Sequence, residues 1–119
     1  IRYVMEPAVS DGFYEREPEL VDRIVEWRLV DDASPTGREA QAAAVAEFDA
    51  SDRLDAVDVP TLILHGTADH VLPVENAELL AELLPHADVD LFDGGPHLFF
   101  VEERERVNDR IRTFLAGVA

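Results

Sequence analysis

The run Pro60-Thr61-Leu62-Ile63-Leu64-His65-Gly66-Thr67-Ala68-Asp69-His70-Val71-Leu72-Pro73 carries a short apolar segment into a glycine and then an acid. It is answered by Gly94-Gly95-Pro96-His97, which sets a histidine 28 positions after Asp69. Thr61–His65, bounded by Pro60 and Gly66, has the pattern of a strand buried on both faces in a parallel sheet. Val74–Leu84 predicts a helix with Ala77, Leu80, Ala81 and Leu84 on one face. Pro85-His86-Ala87 ends it, and Val89-Asp90-Leu91-Phe92 predicts a second strand. A closing helix is expected over Glu102–Leu115, facing inward through Val107, Ile111, Phe114 and Leu115. Acids in its first turn suit the helix dipole, and Glu102 and Arg106 have i,i+4 ion-pair spacing.

Before this strand–helix–strand–helix unit the chain reads differently. Residues 1–16 are expected to be irregular, with Pro7, Gly12 and mixed charges. Pro18 stands at a first helical position, followed by Leu20, Val21, Ile24, Val25 and Trp27, and this amphipathic helix is expected to cover something apolar. It should end near Asp31–Asp32. Ser34-Pro35 and the capping-box spacing Thr36-x-x-Glu39 offer two starts for an alanine-rich helix, with Ala40, Ala44 and Phe48 as its packing face. Asp52–Val57 reads as a turn or short helix docked by Leu54 and Val57. The fold class is α/β. Two parallel strands cannot cover their own edges, so the unit expects further strands beside it.

The composition narrows the function. The chain has 119 residues, 47% hydrophobic, which is globular and enough for one ordinary domain. It lacks cysteine, which excludes disulfides, thiolate metal sites and a cysteine nucleophile. Asp and Glu number 26 against 10 basic residues, all of them arginine, for a net charge of −16. Nucleic acid is not an expected partner, because phosphate binding needs a positive face. Nor is a membrane, since no apolar run is long enough to span one and no signal peptide opens the chain; cytoplasm is the expected location. The acids are scattered rather than blocked, which disfavours an acidic tail. An acidic partner-binding surface remains open, while arginine without lysine beside abundant alanine and aspartate fits a haloarchaeal protein whose self-repulsion is screened by molar salt.

Asp69, at the C-terminal end of a parallel strand, lies where open α/β sheets place catalytic groups, though aspartate is also a common turn former. His97 follows a Gly-Gly-Pro turn able to aim an imidazole at a fixed point; the plainer alternative is a loop histidine packed on Phe99 and Phe100. A metal site of His65, Asp69 and His70 lacks a fourth ligand and an established spacing, and no cofactor is implied. His65 is expected to hydrogen-bond the acid loop, and His86 to lie on the surface. A Gly-x-Ser-x-Gly motif is absent, and Ser10, Ser34 and Ser51 sit in polar or turn-like contexts.

From about Leu54 onward the chain resembles the C-terminal part of the α/β-hydrolase superfamily, especially its lactonase, esterase and cofactor-free haloperoxidase-like branch. The residues that carry the resemblance are Val59–Asp69, Val71-x-Pro73, Gly94-Gly95-Pro96-His97 and the closing helix ending Phe114-Leu115. Many relatives have glycine where Pro96 precedes the histidine. The resemblance implies that Asp69 is the acid and His97 the base of a catalytic triad whose order is nucleophile, acid, histidine. It implies that residues 1–53 are part of a helical cap, as in 3-oxoadipate enol-lactonase-like members, and residues 54–119 the end of the hydrolase core. The expected parent hydrolyses a small-molecule ester, lactone or related acyl substrate with a serine lying upstream. An aspartate there would instead imply a dehalogenase or epoxide hydrolase. The rival expectation is a non-catalytic split or truncated hydrolase that self-associates or pairs with its missing segment.

Overall fold

The computed structural model describes residues 5–30 and 32–119. The first four residues of the stretch expected to be irregular, and Asp31 at the expected helix end, lie outside the described residues. Strand β1 (Thr61–Gly66) and strand β2 (Ala87–Phe92) pair in parallel, with Thr61 opposite Ala87 and Gly66 opposite Phe92. Helix α4 (Glu75–Leu83) crosses between them and buries Ala77 against the sheet side. Ahead of the strands come α1 (Phe13–Arg16), α2 (Pro18–Val30), α3 (Pro35–Glu47) and a 3₁₀ stretch (Ser51–Ala56). After them come α5 (Phe99–Glu102) and α6 (Arg104–Val118). No described helix is long and apolar enough to cross a membrane.

The core beneath the strand ends is Phe92, Phe99 and Val107, with Leu64 packed against it. The Phe92 and Phe99 rings lie 4.7 Å apart, a tilted contact of the favourable aromatic kind. The Arg106 guanidinium covers the other part of Phe92, 4.1 Å from its ring centre. Arg106 and Arg110 also reach Asp90 on β2, and Arg110 pairs with Asp88, so α6 is tied to the strand by charge as well as by Val107. Phe99 stands two residues after His97. The core therefore anchors the histidine's loop from below.

The structure departs from the sequence expectations at several points. The closing helix is two helices. Glu103, with φ −104° and ψ 33°, breaks the ladder between α5 and α6. The expected Glu102–Arg106 pair is replaced by Arg106–Glu103 at 3.2 Å, because Glu102 turns toward Ser10 and Arg16. The N-terminal stretch is partly helical rather than irregular, with a 3₁₀ turn at Glu6–Ala8 followed by α1. α3 starts at Ser34, whose hydroxyl accepts the Gly37 N–H at 3.1 Å, rather than at the Thr36 capping box. Neither of the first two long helices is covered as its periodicity suggested. Val21 is buried, but Trp27 is 61% exposed, and α3 buries nothing, with Phe48 74% exposed beside it.

These exposed faces have a simple physical cause: among the described residues, no element packs over them. The radius of gyration, 16.4 Å, exceeds the roughly 13–14 Å of a compact domain of this length. The sheet has two strands among the described residues, so each keeps one unpaired edge.

Candidate active site

The C-terminal ends of β1 and β2 open into two loops that are zipped together by backbone. Thr67 N–H donates to the Phe92 carbonyl at 2.9 Å, and Ala68 N–H to the Gly95 carbonyl at 3.0 Å. Gly94 N–H in turn donates to the Thr67 hydroxyl at 2.8 Å. Gly94 has φ 70°, the left-handed conformation that glycine adopts without strain. At Gly66 the requirement is space: a Cβ there would lie 2.1 Å from the Gly95 carbonyl oxygen and 2.7 Å from that of Pro96. The strand end can approach the histidine's loop only because residue 66 has no side chain.

This zipper brings Asp69 and His97 together. One carboxylate oxygen of Asp69 accepts from the N–H groups of Val71 and Leu72, both at 2.8 Å. The other lies 2.8 Å from His97 Nδ1. Asp69 thus holds its own turn with one oxygen and bonds His97 with the other. Its side chain is 4% exposed, against 33% for His97. Burial by itself pushes the Asp69 carboxyl up, but bonds from Leu72 N–H, His97 and Val71 N–H outweigh it and hold the acid below its ordinary value. An ionised carboxylate only accepts, so Nδ1 carries the proton. In the neutral ring that leaves the lone pair on Nε2.

Because the folded acid has the lower pKa, its bonds contribute stability fully above the ordinary carboxylate value of 3.8 and lose it as pH falls through the lower, folded value. A carbon-detected titration should place the Asp69 midpoint below 3.8. Asp69→Asn should flatten the acid limb of the stability curve. A midpoint above 3.8 would contradict the bonding described here.

The remaining candidates separate. His65 lies beside the pair: its Nδ1 donates to the Gly66 carbonyl at 2.9 Å, and its Nε2 is 3.7 Å from the same Asp69 oxygen that His97 meets. His70 is exposed. His86 is exposed and bonded to Asp58 at 3.0 Å. Each serine already has a hydrogen-bond partner: Ser10 donates to Glu102, Ser34 caps α3, and Ser51 donates to Asp49 at 2.6 Å. An apolar hollow between Val45, Phe48 and Leu54 on one side and Leu79 and Leu80 on the other includes neither Asp69 nor His97. The positioning roles of Thr67 and of Gly66's close approach were not legible in the sequence. A Gly-Thr pair after a strand signals only that the chain turns.

The family model described as "Serine aminopeptidase, S33" matches residues 4–104. The AB hydrolase superfamily protein YisY of Bacillus subtilis is 33% identical over 104 residues, 86% of this chain and 38% of that protein. The chain belongs to the α/β-hydrolase superfamily. Among solved structures, this hydrolase chain is similar to a bromoperoxidase from Bacillus anthracis, with TM-score 0.80, 27% identity, and coverage of 96% of this chain and 42% of that one. It is also similar to a thermophilic esterase from Thermogutta terrifontis, with TM-score 0.78, 31% identity, and coverage of 98% and 43%. It spans about two fifths of the length of these relatives, and its helices and parallel strand pair are a partial α/β-hydrolase fold.

Proposed function

We propose that this chain supplies the acid and the histidine of a hydrolase acting on a small-molecule ester, lactone or related acyl substrate. Asp69 serves as the acid and His97 as the base. The observation that carries the reading is the 2.8 Å contact between Asp69 and His97 Nδ1, with the second Asp69 oxygen held by two backbone N–H groups. The esterase similarity favours acyl chemistry. The nucleophile, a serine in this proposal, comes from a segment preceding these residues. Residues 1–53 contribute to a helical cap and residues 54–119 to the end of the core.

In that site His97 Nε2 takes the hydroxyl proton as the serine oxygen bonds to the acyl carbon and the carbonyl electrons move onto oxygen. Collapse of the tetrahedral centre breaks the bond to the leaving oxygen, which accepts the proton back from Nε2. Water then repeats the sequence on the acyl-enzyme. Asp69 remains ionised throughout, keeping the ring oriented and stabilising the imidazolium. The chemistry asks for no cofactor.

A fluorophosphonate, which phosphonylates activated serines, tests this on a protein joining the chain to a nucleophile-bearing segment. Labelling that depends on His97 supports the serine reading. Absence of labelling in a protein that still opens epoxides or releases halide would assign an aspartate nucleophile instead. A second reading has its own observation in the unpaired edges of β1 and β2: the isolated 119-residue chain self-associates through them without turning over esters. A monodisperse monomer in sedimentation would exclude it.

The surface charge supports a protein built for high salt in a haloarchaeal cytoplasm. Its melting temperature should climb steadily from low to molar potassium chloride as repulsion among the excess acids is screened. A flat or falling profile would favour an acidic partner-binding surface.

A further inference from the structure

His97 is flanked by two anchors, and only one belongs to the strand-end zipper. On the far side, Leu98 N–H donates to the Ala8 carbonyl at 2.7 Å. One turn later Glu102, its side chain 12% exposed, accepts the Ser10 N–H at 2.9 Å. The Ser10 hydroxyl donates to its other oxygen, which also meets Arg16 at 3.4 Å. Arg16 is itself held by the Asp11 carbonyl at 2.6 Å and the Ser10 hydroxyl at 2.7 Å. Both ends of the single turn α5 are thus stitched to the segment Ala8–Ser10, some ninety residues away in sequence.

We propose that Glu102 is a positioning residue for His97, acting through Ser10 and the turn that begins immediately after the histidine. The inference rests on the reading of Asp69 and His97 as the acid–base pair. Phe99 fixes the depth of the turn through the core, but a single buried side chain leaves rotation about its own axis free. Hydrogen bonds at Leu98 and at Glu102 remove that rotation. Glu102 is suited to the task because a mostly buried carboxylate needs its lone pairs filled, and the bonds that fill them are charge-assisted. These contacts also leave Glu102 unavailable to Arg106. The segment before α1 thereby becomes part of the machinery that aims the imidazole.

The test uses proton NMR on a protein joining the chain to its nucleophile-bearing segment. The His97 Nδ1 proton shared with Asp69 should appear as a low-field resonance that is lost in Asp69→Ala. In Glu102→Gln, and separately in Ser10→Ala, that proton should exchange with water about tenfold faster or broaden beyond detection. The Leu98 amide should lose protection in step. A contact that is merely structural would lower the melting temperature of both variants and leave the low-field proton unmoved; that result overturns the proposal. Ser10→Ala removes only the hydroxyl, so it reports even if Glu102→Gln does not fold. A low-field proton missing from the unaltered protein would refute the acid–base pair itself. A proton present and indifferent to both variants would refute only the role of Glu102.

Discussion

Replacing His97 with alanine, in a protein that joins this chain to its nucleophile, is expected to lower kcat for ester hydrolysis by about 10⁴-fold or more. KM should change little. The imidazole moves protons in the transition state, and its loss removes stabilisation that the bound substrate does not yet feel. Asp69→Asn should lose about 10⁴-fold while leaving the fold intact. The amide can still accept from Val71 and Leu72, but its NH₂ facing His97 would reverse the donor and acceptor across the 2.8 Å contact. The ring would then carry its proton on Nε2, the atom that must accept one. Steady-state kinetics with an activated ester check both variants. A loss of less than tenfold for either would remove that residue from the chemistry.

Gly66→Ala is expected to be the most damaging of the glycine-to-alanine changes in this chain. With its Cβ 2.1 Å from the Gly95 oxygen and 2.6 Å from the Gly95 carbon, no rotamer relieves the clash, and backbone must move. The expected loss is about 3 kcal/mol or more in urea unfolding, the upper range for overpacking. The movement must pass to Pro96 and His97, so the His97–Asp69 hydrogen bond should break even where the variant remains folded. Gly94→Ala is the control. Nothing lies within 4 Å of its Cβ, so its cost is the left-handed φ of 70° alone, about 1–2 kcal/mol. If Gly66→Ala proves no more costly than Gly94→Ala, the two loops are not in backbone contact.

The contrast between these two glycines shows where sequence reading stops. Gly94-Gly95-Pro96 is recognisable as a turn because its signal is local: left-handed backbone and a fixed proline φ are properties of the residues themselves. The same is true of β1, where the apolar run between Pro60 and Gly66 fixes strand type and length to within a residue. The acid loop is local as well, since Asp69 bonds N–H groups only two and three positions ahead. The pairing of Asp69 with His97 comes from the resemblance to the hydrolases, since their places after two parallel strands leave a turn former and a loop histidine open.

Contacts made across long sequence distances could not. The spacing of Glu102 and Arg106 is that of a helical ion pair, and nothing nearby reveals that a serine and an arginine close to the start of the chain draw Glu102 away. The apolar stripe around Trp27 and the alanine face of α3 have the periodicity of covered surfaces, yet periodicity states only that a face is suited to burial. Whether anything covers it depends on which elements pack there, and among the described residues none does. Composition and the positions of the strands and turns thus follow from short-range stereochemistry and patterning. The zipping of the two strand-end loops, the diversion of Glu102 and the bare faces of the first two long helices are settled by packing between segments, because hydrogen-bond partners and excluded volume are set by position in space rather than by neighbours in the chain.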